Sequence, residues 1–165
     1  MPLYPPASTH GRVLAFLTML LIDTYVGPSA IEGVGVFAAE PIRKGQLIYR
    51  FEPGFDRLIG ETDLATMPES IRRFVERYTY PHPLEAGKLV LDADNGRHMN
   101  HSLQPNTDFK DSVFGYAIAD IAPGEEITCN YAEFEPGFYM LPSMVTAHAA
   151  PPAMQAKANG SGAHL

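Results

Sequence analysis

The sequence predicts a mainly β domain built from short strands, with one helix. Three observations carry that expectation. Proline (15) and glycine (14) are abundant and fall between short apolar runs, which is the punctuation of strands and turns. One strand-turn-strand pattern occurs twice. A single segment has convincing helical periodicity. At 165 residues and 45% hydrophobic, the chain suits one domain with a core of its own.

The first element is the apolar run "VLAFLTMLLI" (Val13 to Ile22), which follows Arg12 and has the character of a signal-peptide core. It is too short to span a bilayer, and "DTYVGPS" offers no small-x-small cleavage site. The run is read instead as leading into a buried first strand near 19–26. Met19 offers an alternative start, with residues 1–18 as an extension.

The repeated pattern comes next. "FAAEPIRKGQLI" (Phe37 to Ile48) aligns with "YAIADIAPGEEI" (Tyr116 to Ile127), matching an aromatic residue, two isoleucines and a glycine in register. Each copy reads as a strand, a turn around Gly45 or Gly124, and a second strand. Between the copies, "TMPESIRRFVERY" places Thr66 as N-cap, Glu69 as its capping-box partner and Pro68 in the first turn. Ile71, Phe74, Val75 and Tyr78 then form one apolar face, expected to pack on the sheet. Arg72, Arg73, Glu76 and Arg77 are expected on the solvated side. Residues 142–165 hold twelve Ala, Pro or Gly and no acidic residue, the composition of a disordered tail. The folded unit is therefore expected over 19–141.

A single cysteine, Cys129, excludes an internal disulfide framework and a cysteine-rich zinc cluster, and points to a reducing, cytoplasmic compartment. The formal net charge of −7 argues against direct nucleic-acid binding and suits a cationic partner. No membrane association is expected.

Three stretches hold chemistry-bearing residues. In "EGVGVF" (Glu32 to Phe37), Gly33 and Gly35 flank Val34, which fits either close backbone approach to a ligand or a plain turn. In "HMNHSLQPN" (His98 to Asn106), two histidines three apart invite a metal reading with Asp92, Asp94 or Asp108 as possible partners, but no nearby carboxylate pair or cysteine completes the ligand set. A side-chain network holding a buried turn fits better, and a polar ligand pocket is the third reading. In "GEEITCNY" (Gly124 to Tyr131), adjacent Glu125 and Glu126 point to opposite faces of a strand, a poor acid–base pair. Tyr131 ends that strand, either buried with one hydrogen bond or reaching into a pocket.

Taken in order, these stretches resemble the SET domain of protein lysine methyltransferases. "GVGVFAAEPIRKGQLI" is similar to the family's glycine motif, strand and turn. "RHMNHSLQPN" is similar to its Arg-Phe-x-Asn-His-Ser-x-x-Pro-Asn signature, and "IADIAPGEEITCNY" to its partner ending in Glu-Glu-Leu-Thr-x-Asp-Tyr. The likeness covers roughly Leu21 to Tyr131, and the size resembles small stand-alone members. It implies a β-clip-like SET fold with a knot-like C-terminal crossing, S-adenosylmethionine as cofactor, no catalytic metal, and lysine in a basic protein as substrate. By position it places Gly33, Val34, Gly35, Asn100, His101 and Phe134 against the cofactor. Tyr131 becomes the catalytic tyrosine of the lysine channel, and Cys129 and Tyr116 become channel walls. Small members of the family also make a homodimer an expectation.

Several residues depart from the pattern. His98 stands for the usual Phe, Leu103 for Cys, Asn130 for Asp, and Cys129 for the Phe or Tyr that limits methylation state. The smaller Cys129 implies room for di- or trimethylation. In "AEFEPGFYM", Phe134, Phe138 and Tyr139 are candidates to close the site without zinc. The competing reading is a non-catalytic β-clip binding module. It accounts for the duplicated corner, but gives no reason to combine Asn100-His101 with Tyr131.

Overall fold

The computed structural model describes residues 19–111 and 113–135. The expected extension over 1–18, the closing aromatics Phe138 and Tyr139, and the tail over 142–165 lie outside the described residues. The described chain is mainly β, in three small sheets with one α-helix.

The first sheet runs β1 (Thr24–Pro28), β2 (Val34–Ala38), β10 (Glu126–Cys129) and β7 (Asn100–His101). The second joins β3 (Leu47–Arg50), β9 (Phe114–Ala117) and β8 (Thr107–Asp108); the third joins β4 (Arg57–Gly60), β6 (Lys88–Leu91) and β5 (Thr79–Pro81). All recorded pairings are antiparallel except β7 with β10.

The duplicated pattern folds as two corners clasped together. Ile42 and Ile121 exchange backbone hydrogen bonds (3.0 and 2.9 Å). Gly45 N donates to Ala117 O and Gly124 N to Ala38 O, both at 2.8 Å, so each corner's turn bonds to the other corner's strand. Gly45 and Gly124 have φ of +83° and +82°, a region that favours glycine. Even the side-chain bonds match: Gln46 Oε1 accepts from Arg43 N, and Glu125 Oε2 accepts from Ala122 N. Ile42, Ile48, Ile121 and Ile127 are all buried and form the centre of the core. Burying each is worth about 1.5–3 kcal/mol.

Two expectations shift. The first strand begins later than 19–26, at Thr24, although Met19, Leu20 and Ile22 are buried as anticipated. Residues 19–21 lie along β3 instead, with Leu21 N bonded to Ile48 O and Arg50 N to Met19 O. The chain then crosses to β2 at Asp23, so one apolar run serves two sheets.

The helix α1 spans Glu69–Tyr78, and its N-cap is Pro68 in extended conformation, not Thr66. The Thr66 hydroxyl donates back to Asp63 O, closing a 3-10 turn over Glu61–Thr66, and no capping box forms. Its apolar face is not packed on a sheet. Val75 is buried, but Ile71 and Phe74 are about half exposed, at 50% and 46%. Among the described residues, no helix is long and apolar enough to cross a membrane.

Candidate functional site

The crossing of β10 between β2 and β7 brings the three sequence motifs to one place. Glu126 and Ile127 pair with Phe37 and Val36 on one side; Thr128 and Cys129 pair with Asn100 and His101 on the other. Asn106 then brackets β10, donating to Glu126 O and accepting from Thr128 N, both at 2.8 Å. This is the form taken by the expected C-terminal crossing.

At its centre, Asn100 Nδ2 donates to Glu126 Oε1 (2.8 Å), Val34 O (3.0 Å) and Glu32 O (3.2 Å). Ser29 Oγ donates to the same carboxylate (2.8 Å) and accepts from Ile31 N (2.9 Å), which ties down the glycine turn. Gly33 sits at φ +52° within that turn. Gly35 has a different reason to be glycine. A Cβ there would run into the Glu126 carboxylate and lie 3.2 Å from Asn100 Nδ2. Glu126 is thus the strand glutamate that anchors structure, and Glu125 the exposed one.

Beside this network lies a cavity of about 1040 Å³, of a size that accommodates a cofactor-scale ligand. Gly33, Val34, Asn100, Cys129, Tyr131 and Phe134 all line it. Three predicted residues do not. Gly35 lies behind the wall. His101 is buried, its Nδ1 accepting from Tyr131 N (3.2 Å), so its ring positions the backbone that carries Tyr131. Tyr116 is not brought to the cavity at all. On β9, Gly115 and Ala117 face inward, so Tyr116 faces outward, over a separate shallow depression near Lys44 and Asp108.

Tyr131 Oη donates to Met99 O at 2.6 Å. Burial pushes its proton affinity far above that of an ordinary tyrosine, so it stays a neutral phenol. Cys129 is buried, and desolvation holds its thiol protonated. His98 lines the cavity with its ring edge-on to Tyr78, and burial together with Arg97 lowers its pKa. Among the described residues, no cluster of three or more His, Cys, Asp or Glu could hold a metal ion.

The cavity also has residues that sequence reasoning missed. Tyr49 Oη and Tyr80 Oη are 2.6 Å apart, and Tyr80 Oη donates to Asp92 Oδ1 at 2.9 Å. Burial raises the Asp92 carboxyl to about 8, with Asp56 and Asp94 adding to the shift and the Tyr80 bond opposing it. Phe109 and Phe134 complete an aromatic wall around Tyr80, with ring centroids 5.5–6.0 Å apart. Helix α1 contributes Arg73, Glu76, Arg77 and Tyr78 to the lining, so the helix read as packing belongs to the site. Of these, Asp92, just beyond the apolar strand β6, has a sequence signal only as a possible metal partner, and Tyr49 and Tyr80 carry none.

A SET-domain family model matches residues 33–132. The chain belongs to the SET-domain family. No curated protein gives a significant match. Among solved structures, the Chaetomium thermophilum Polycomb Repressive Complex 2 bound to an inhibitor matches at 26% identity and TM-score 0.52, over 70% of this chain. The same complex in an autoinhibited conformation bound to S-adenosylmethionine matches at 26% identity and TM-score 0.50, over 69%. This chain spans 16% of the length of either matched chain. A Plasmodium falciparum candidate histone methyltransferase aligns over 67% of this chain and 93% of its own, at 25% identity and TM-score 0.48. Family membership supports methyl transfer and S-adenosylmethionine use at the level of the family.

Proposed function

We propose that this protein transfers a methyl group from S-adenosylmethionine to the side-chain amine of lysine in a basic protein. The observation that carries the reading is convergence. The Asn100-centred glycine turn and Tyr131 come from three distant segments and line one cavity. The clasped corners alone would serve a β-clip binding module, but they do not require a hydrogen-bonded tyrosine at a pocket wall.

The residues fit the cofactor. Gly35 lets Glu126 and Asn100 close against the glycine turn behind the cavity wall, and Asn100 spends its amide nitrogen on protein oxygens while lining the cavity. An Asn carbonyl oxygen is then the group left to accept from an ammonium. S-adenosylmethionine supplies a methyl group bonded to a cationic sulfur, an electrophile for a neutral amine. The chain's part is alignment and exclusion of water. Tyr131, pinned on Met99 O, orients the amine, and the Phe109–Phe134 wall shields it. Raised phenol proton affinities make Tyr49 and Tyr131 orienting groups rather than bases. A lysine with an ordinary pKa of about 10.4 loses its proton more readily on entering such a desolvated channel. The acidic balance of the chain supports a basic substrate.

Calorimetry with S-adenosylmethionine tests the first half, and a well-folded protein that fails to bind it removes the reading. Tyr131→Phe tests the second half. Cofactor binding is expected to persist while transfer to a lysine peptide pool falls about a hundredfold. Undiminished transfer would remove Tyr131 from this role.

A further inference from the structure

Glu32 and Arg77 face each other across the edge of the cavity. The Arg77 guanidinium donates to Glu32 Oε1 at 2.9 Å, joining the last turn of α1 to the residue that precedes the glycine turn. Both line the cavity. The Arg77 side chain is 51% exposed and that of Glu32 21%. A pair so open to water contributes little to stability, so separating it costs little.

Its location is informative. The Glu32 carbonyl is one of the three oxygens held by Asn100, so the carboxylate sits at the corner where the glycine turn meets Asn100. The neighbouring arginines are engaged elsewhere. Arg73 pairs along the helix with Glu69 (3.7 Å), and Arg97 is directed at the Asp92 and Ala93 carbonyls and at His98 Nε2. The Arg77 guanidinium lies 5.7 Å from the centroid of the Tyr78 ring, which holds its head at the cavity edge.

We propose that Glu32 and Arg77 form a separable ion pair that reads the zwitterionic amino-acid end of the cofactor. Arg77 takes the carboxylate and Glu32 takes the ammonium, so one internal pair is exchanged for two intermolecular ones. This rests on the S-adenosylmethionine reading and deepens it. Arginine suits the part because its planar fork matches a carboxylate in two parallel hydrogen bonds, which lysine does not reproduce. The two opposite charges also select against ligands that carry only one charge at that end.

The test is calorimetric affinity, with no turnover required, for three probes: S-adenosylmethionine, its decarboxylated form, and 5′-methylthioadenosine, which lacks the whole amino-acid end. Wild type is expected to prefer S-adenosylmethionine over the decarboxylated form by about tenfold or more. Arg77→Gln should erase that preference and leave binding of the decarboxylated form within about twofold. Glu32→Gln should weaken both ammonium-bearing probes alike, and neither substitution should affect 5′-methylthioadenosine. Arg77→Lys should restore part of the preference, which guards against a folding artefact. Equal wild-type affinity for S-adenosylmethionine and its decarboxylated form overturns the proposal while the enzyme reading stands. So does an Arg77→Gln loss shared by all three probes. A folded wild type that binds none of the three overturns both.

Discussion

Asn100 Nδ2 lies 2.8 Å from Glu126 Oε1, and through this contact the second signature segment holds the third. The two residues are 26 positions apart. The carboxylate also accepts from Ser29, which braces the glycine turn, so one glutamate links all three motifs. A charged acceptor shared by two side-chain donors at a part-buried site is hard to replace.

Glu126→Ala is therefore expected to destabilise the fold by about 2–4 kcal/mol, because Asn100 and Ser29 both lose their acceptor. Glu126→Gln should cost less, since one carbonyl oxygen is kept. Urea unfolding measures both, and a loss below about 0.5 kcal/mol for Glu126→Ala would dissolve the network as an energetic unit.

The two motif glycines should fail for different reasons. Gly35→Ala drives a methyl into the Glu126 carboxylate, an overpacking cost of about 1–3 kcal/mol, with weaker cofactor binding. Gly33→Ala meets no neighbour within 4 Å, so its cost of about 1–2 kcal/mol is backbone strain at φ +52°. Asn at position 33 should recover part of the loss, whereas Asn at position 35 should be worse than Ala. Thermal melts of the four variants decide it.

Asp92 makes stability fall as pH rises. Its carboxyl is raised to about 8 in the folded protein, mainly by burial, against about 3.9 in an unfolded chain. Between those values the native state binds more protons than the unfolded state, so the slope is negative and levels off above pH 8. Asp56, raised to about 6 mainly by burial, adds to the fall at the acidic end of that window. Asp92→Asn should flatten the decline in Tm between pH 6 and 8. A wild-type Tm that climbs over that interval would contradict the assignment.

Helix α1 should tolerate polar residues on the face that sequence alone assigns to the core. Ile71→Ser and Phe74→Ser are expected to change stability by no more than about 0.5 kcal/mol, because both side chains are about half exposed. Val75→Ala, on the same helix, should cost at least about 1 kcal/mol, since Val75 is buried. Equal losses at all three positions would mean the face is covered.

Much of the frame was legible. Gly45 and Gly124 announced turns because positive φ is cheap only without a Cβ, and the spaced isoleucines announced buried strand positions. The outward turn of Tyr116 was legible too, since small Gly115 and Ala117 flank it on a strand of period two. The resemblance to a channel residue hid that signal. Thr66 misled because a capping box is a local pattern that a neighbouring turn can override, and here Asp63 O claims the hydroxyl. Ile71 and Phe74 misled because periodicity marks an amphipathic face without saying that anything covers it.

By itself, the sequence determined the strand-turn corners and the family signature, and it singled out Asn100 and Tyr131, which both line the cavity. These depend on backbone conformation and alternation within a few consecutive positions, which composition and spacing express directly. Only the tertiary structure decided which surfaces face the cavity. Tyr49 comes from β3, Tyr80 from β5 and Asp92 from just beyond β6, and Glu32 meets Arg77 across 45 residues. No local pattern encodes such meetings. They arise when β10 enters between β2 and β7 and sheet pairing sets which side chains share a wall.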